Sequence, residues 1–375
     1  MSGRPRKNVI REDVVGVYHV GSRCVRRAWL CGIDPLTGVD YSHRRHWICE
    51  RMEELARIFA VDACVYAILS NHYHLLVRNR PDLTAQWSDE EVVRRWWQLY
   101  PERRNDDGTP AEPTELEIRS IAADVKRTAE LRTRLSSISW FMKELNQSIA
   151  SRANAEDGVG GHFFQERFGC RSLLDERAIL VCSLYIDLNE IRAMLATNPE
   201  DSVNTSAYRR ILARIKRRER EQASRECQPV GDYQEGDPDY WLCPVSEQDC
   251  STLLGRPGVN SVEASQGCDL SSIHSASVPK QWRHGFLTVT IDQYLDLLDG
   301  IGRQIVTGKR GAIDSRLAPI LDRLGLRPST LVEIIENFDR WFHGAVGSAP
   351  QLMQEAARTG RSWIQGLKYS RTVFT

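Results

Sequence analysis

No stretch of this 375-residue chain approaches the roughly 20 consecutive apolar residues that a membrane-spanning helix needs, so no membrane partner is expected. The basic start, Met1 to Lys7, leads into no apolar run either, which argues against a secretory leader and for a cytoplasmic chain. No two of the ten cysteines are separated by two residues, and a zinc-knuckle reading fails on that ground. Cys64 and Cys182 lie in apolar runs, where a reduced thiol acts as a small hydrophobe, and disulfides are not expected. There is no excess of charge of either sign: 50 basic residues balance 50 acidic ones. Any polyanion-binding surface must therefore be local. Residues 1–60 hold 11 Lys/Arg against 7 Asp/Glu, and residues 207–225 hold 8 against 2. The second run reads first as a solvated helix face. No internal repeat is present.

Hydrophobic residues make up 41% and charged residues 27%, an ordinary globular balance in a chain long enough for two domains. Val14–Val20 is β-branched and aromatic and predicts a strand. Trp47, Met52, Leu55, Ile58 and Phe59 recur at helical spacing between His43 and Ala60. Val61–Leu69 reads as a buried strand, and His72–Arg78 as its antiparallel hairpin partner. Residues 80–130 are strongly charged and read as an insertion of exposed helices. Leu135, Ile138, Met142, Leu145 and Ile149 then mark an amphipathic helix. A short strand near Cys170–Leu174 and a helix from Asp175 to about Leu195 follow.

That order predicts an α+β fold: a ferredoxin-like antiparallel sheet with helices mainly on one face, spanning residues 10–210. Residues 211–280, poor in periodicity over 221–275, read as a linker or loosely ordered segment. Helical pattern at 291–306 and 330–343 predicts a small α-helical C-terminal domain over 281–375.

Alternation along a strand puts His72, His74, Leu76 and Arg78 on one face, and Tyr73, Leu75 and Val77 on the other. The two imidazoles stand about 7 Å apart along the strand, close enough to lean toward one ion. A magnesium or manganese ion, accepting mixed nitrogen and oxygen ligands, suits that donor set.

The context of the pair resembles a known family. Ser70-Asn-His-Tyr-His-Leu-Leu-Val77 is similar to the signature of the single-tyrosine transposases that move as single-stranded DNA. Tyr18-His-Val-Gly-Ser-Arg23, Gly161-His-Phe-Phe-Gln-Glu-Arg-Phe-Gly-Cys-Arg171 and Tyr185-Ile-Asp-Leu-Asn-Glu-Ile-Arg192 fit as well. Together they look closest to the REP-associated tyrosine transposase branch, over about residues 10–210.

The resemblance implies a protein that binds single-stranded, hairpin or palindromic DNA, with strand cleavage and rejoining as family chemistry. His72 and His74 would hold a divalent metal, and a tyrosine on the later amphipathic helix would form a 5′-phosphotyrosine link. That helix, Ser139–Asn154, has no tyrosine. The expected position falls near Ser148 or Ile149, with Ser148 favoured, so cleavage is expected to be impaired or altered. Gln147 or Glu144 would complete the metal site, and Arg23, Arg167 and Arg171 would contact phosphate. His19 could lie near the site, and Tyr185 reads as a core tyrosine. Two alternatives stay open: an active enzyme using Ser148, Tyr185, Tyr294 or Tyr369, and a protein-interaction module that kept the fold. The number of subunits is not legible.

Overall fold

Three eight-residue strands and one of five build the centre of the molecule: β1 (Gly16–Arg23), β2 (Val61–Ile68), β3 (His72–Asn79) and β4 (Gly169–Leu173). The computed structural model describes residues 8–25, 28–223, 236–246, 284–305, 321, 324 and 326–374. Much of the expected linker, 224–235 and 247–283, lies outside the described residues. The strands order as β2-β3-β1-β4, the ferredoxin-like arrangement, and β5 (Ala345–Val346) adds a fifth, parallel to β4.

Register follows from the pleat. β1 and β3 run antiparallel with Gly21 opposite His74 and Arg23 opposite His72, and β4 places Arg171 opposite His19. Directly paired residues share a face, so His19, Gly21, Arg23, His72, His74 and Arg171 all face one way. Tyr18, Val20, Ser22, Tyr73, Leu75 and Val77 face the other. A bulge between Ala63 and Val65 shifts the β2 register by one residue, so Val65 and Ala67 fall on the histidine face and Tyr66 and Ile68 on the other.

Each face carries its own core. Helices α1 (Arg44–Ile58) and, later in the chain, α6 (Ile138–Asp157) cover the Tyr73 face. Their buried stripes, Ile48, Met52, Leu55 and Ile58 on α1 and Phe141, Met142, Leu145 and Ile149 on α6, recur at three- and four-residue spacing. Gly158 ends α6 in the left-handed region (φ 64°), where a Cβ is disfavoured. Fully buried Arg44 ties the two helices together, bonding Glu156 at 2.6 Å, Asp157, and the Trp29 carbonyl at 2.7 Å.

Between β3 and α6 run α2 (Pro81–Thr84), α3 (Asp89–Leu99), α4 (Glu115–Ala122) and α5 (Val125–Leu135). The insertion is less exposed than its charge suggests, because Val92, Trp96 and Leu131 reach the Tyr73-face core and Val93 packs on Ile118 and Ala122. Buried Arg95 bonds the Arg57 and Ile58 carbonyls, satisfying the open end of α1.

The histidine face is covered too. There lie α7 (Glu176–Asp187), α8 (Asn189–Arg192), α9 (Ser206–Ala223), α10 (Ile291–Ile305) and α11 (Pro328–Trp341), followed by α12 (Ala349–Arg358) and α13 (Leu367–Val373). Leu76, Leu180, Leu184, Tyr185, Leu297, Ile301, Ile334 and Phe338 form one continuous apolar cluster. The C-terminal helices pack into this same cluster. The apolar stripes of α10 and α11 are completed by the sheet and α7, and the chain adds a fifth strand to the same sheet. Among the described residues no helix is long and apolar enough to cross a membrane. Seven described cysteines are free thiols, six of them buried.

Candidate functional site

The histidine pair gains a third ring. His19 on β1 brings its Nε2 to 2.9 Å from His74 Nδ1, with ring centroids 5.0 Å apart. Gly21 makes room for this: a Cβ there would lie 3.3 Å from His74 Nδ1 and 2.6 Å from the Tyr73 carbonyl. His72 stands perpendicular to His74 at 4.9 Å, its Nδ1 2.7 Å from the Asn71 side-chain oxygen.

Arg171 fixes the protons. Its Nη1 donates toward His19 Nδ1 at 3.3 Å, and a guanidinium only donates. His19 therefore carries its proton on Nε2 and gives it to His74 Nδ1, which leaves the His74 proton on Nε2. All three rings are held neutral. Burial, then Arg171, pulls His19 down to about 3; burial, then Arg23, takes His72 to about 4; and burial with the two neighbouring imidazoles puts His74 well below the ordinary range.

Tyr185 closes the cluster. Its ring meets His74 edge to face at 5.7 Å and His19 at 5.9 Å, stacks on Phe338 at 4.6 Å, and lies under the Arg192 guanidinium at 4.6 Å. Its hydroxyl donates to Asp339 Oδ2 at 2.5 Å, while Asp339 Oδ1 takes Arg171 Nη1 at 2.6 Å. Burial, then the adjacent carboxylate, raises the Tyr185 phenol above its usual value. Burial pulls Asp339 upward, but Arg171, the Tyr185 hydroxyl and the imidazoles outweigh it and hold the acid well below the carboxylate range. Its outer edge stays open, with 52% of the side chain exposed, even though protein atoms crowd its bonded oxygens.

The expected residues divide across the sheet. His72, His74, Arg171 and His19 converge. Exposed Arg23 lies across the ladder from His72, and Arg167 is exposed on the loop before β4. Ser148, Gln147 and Glu144 belong to α6, beneath the opposite face. Asn146 fixes α6 there, bonding the Tyr73 hydroxyl and the Ser22 hydroxyl, the latter at 2.9 Å. Buried Glu144 accepts the Tyr100 hydroxyl at 2.6 Å, Gln147 is exposed, and Ser148 is half-buried. The Tyr294 hydroxyl is held by Asp187 at 2.6 Å, and Tyr369 stacks on Trp341 at 4.6 Å. Tyr185, read from sequence as a core tyrosine, is indeed buried at 2% exposure, yet it is also the phenol beside the histidines. Phe338 and Asp339 carried no sequence signal, being more than 150 residues from their partners.

The resemblance implied a divalent ion at this pair. Among the described residues no three His, Cys, Asp or Glu side chains are grouped to hold one. His74 Nδ1 is bonded to a third imidazole, and Arg171 adds a positive charge to that chain. What the site does present is a guanidinium, a phenol and neutral imidazoles around one carboxylate, which is a constellation for an anion.

No protein family model matches the chain, and no curated protein matches it. Among solved structures, it is similar to a REP-associated tyrosine transposase bound to a REP hairpin, at 12% identity and a TM-score of 0.32, over 56% of this chain and 84% of that one. A likeness so slight bears no weight, and the fold assignment rests on strand order and register.

Proposed function

We propose that this chain is a transposase-like DNA-binding protein that takes single-stranded or hairpin DNA on the histidine face of its sheet, with Tyr185 as the hydroxyl for strand cleavage. One observation carries the proposal: Tyr185 packs against His74 and His19 on the same face as Arg171, while the helix holding Ser148 lies across the sheet. The four ordered motifs supply the family context, and the packing of Tyr185 beside His74 and His19 supports it over Ser148 as the nucleophile.

The chemistry is a transesterification. The phenolic oxygen bonds the phosphorus and the bond to the 3′ oxygen breaks; the phenol loses a proton and the 3′ oxygen gains one. Arg171 neutralises charge on the non-bridging oxygens, as an arginine beside a transferring phosphoryl group does. His74 holds its proton on Nε2, set by the chain that starts at Arg171, and is placed to donate to an oxygen.

The test is binding of a labelled single-stranded hairpin oligonucleotide to the full chain, followed by fluorescence anisotropy across salt concentrations. Affinity should fall as salt rises, and the His72→Ala/His74→Ala double variant should bind more weakly. Equal binding by the variant would remove the histidine face from the proposal, and no binding by either protein would favour the interaction-module reading.

A further inference from the structure

Two adjacent residues of helix α11 present to the site what a nucleotide presents. Asp339 offers an anion, held by Arg171 at 2.6 Å and by the Tyr185 hydroxyl at 2.5 Å. Those are the two groups a scissile phosphate needs, a cation and the attacking oxygen. Phe338 offers a flat ring stacked on Tyr185 at 4.6 Å, 25° from parallel, with the Arg171 guanidinium 5.8 Å from its centre. Proteins that hold unpaired nucleic acid use that pairing of aromatic stack and arginine for bases.

We infer that helix α11 is a built-in competitor for DNA, with the Asp339 carboxylate occupying a phosphodiester position and the Phe338 ring a base position against Tyr185. The inference rests on reading the histidine face as the DNA site. The helix is seated deeply: Ile334, Ile335 and Phe338, and Phe342 just after it, are fully buried in the core shared with α7. The covered form is therefore the dominant one. The cover is also partial, since His72 and His74 keep some exposure and Asp339 is half exposed. A strand can thus approach the pair before it displaces the carboxylate.

The consequence is a cost on binding. Where the competent form is a tenth of the population, apparent affinity drops about tenfold. Weakening the helix's hold should return that factor without adding any contact to DNA.

The experiment compares the full chain with Asp339→Asn and with Phe338→Leu, the first removing the charge and the second the stack while keeping an apolar side chain. Circular dichroism checks that both are folded. Binding of a fluorescein-labelled single-stranded oligonucleotide is read by anisotropy, with the His72→Ala/His74→Ala variant alongside. Each α11 variant should bind about tenfold more tightly than the parent, and hydrogen exchange should quicken along α11 when DNA is added to the parent chain. Histidine-dependent binding that is unchanged or weaker in both folded variants would overturn the competitor and leave the proposed function standing. Absence of histidine-dependent binding in every protein would overturn both.

Discussion

Replacing Asp187 by alanine should be among the most damaging single changes on the histidine-face side of the molecule. This carboxylate, fully buried at the end of α7, accepts the Ser206 hydroxyl at 2.7 Å, the Ala207 amide at 3.0 Å and the Tyr294 hydroxyl at 2.6 Å. It thereby joins α7, the start of α9 and α10. Each donor stranded in a dry interior costs about 1–3 kcal/mol. Rotation of the two hydroxyls and relief of a buried charge offset part of the sum, leaving about 3–5 kcal/mol. Asparagine can accept from Ala207 and Ser206 and donate to the Tyr294 oxygen, so Asp187→Asn should cost about 1 kcal/mol or less.

The two substitutions also separate by pH. Burial raises the Asp187 acid above its usual value against the pull of its donors. The folded state therefore holds this proton more tightly than the unfolded state. Stability from this group is greatest below the ordinary carboxylate value and is lost as pH rises through the raised one. Asp187→Asn should remove that slope. Urea denaturation at several pH values between 4 and 7 measures both effects. An alanine cost under about 1 kcal/mol, or an unchanged pH slope in the asparagine variant, would refute the reasoning.

Three further outcomes follow from the same geometry. Ser148→Ala and Gln147→Ala should leave hairpin binding within about twofold of the parent by anisotropy, since both lie on α6 away from the histidines. Tyr73→Phe should lower stability by about 1 kcal/mol in urea, through loss of the bond to Asn146, with DNA affinity unchanged because Tyr73 faces the other core. Thr114→Ala should cost about 1 kcal/mol of local stability by breaking the capping box with Glu117 that starts α4, read as faster hydrogen exchange over Glu115–Ala122.

Much of the architecture was legible because period and punctuation agreed. The alternation in His72–Arg78 gave the correct faces of β3, and the spacing of Met142, Leu145 and Ile149 gave the buried stripe of α6. What periodicity does not carry is which face of a sheet a helix meets. The apolar stripe of α6 would read the same on either side, so the place of Ser148 relative to His74 was beyond reach of pattern. The Asn146 contact with Tyr73 and Ser22 decides it. Tyr185 was ambiguous for another reason: a tyrosine in an apolar helix is normally core, and here it is core and site together. The run Glu336-Asn-Phe-Asp339 is an unremarkable helical stretch until the chain folds it back over a guanidinium and a phenol. The apolar stripes of α10 and α11 give the C-terminal helices, but they cannot announce in sequence that their partner is the sheet.

The position of a covalent DNA adduct tests Tyr185 as the nucleophile most directly. Asp339→Asn protein, in which the competing carboxylate charge is gone, is incubated with a labelled single-stranded hairpin oligonucleotide, digested and mapped by mass spectrometry, with Tyr185→Phe as control. A phosphotyrosine link is expected on the peptide containing Tyr185, and it should be lost in Tyr185→Phe. A link on Ser148 or on any other hydroxyl, or an adduct that survives Tyr185→Phe, would contradict that assignment.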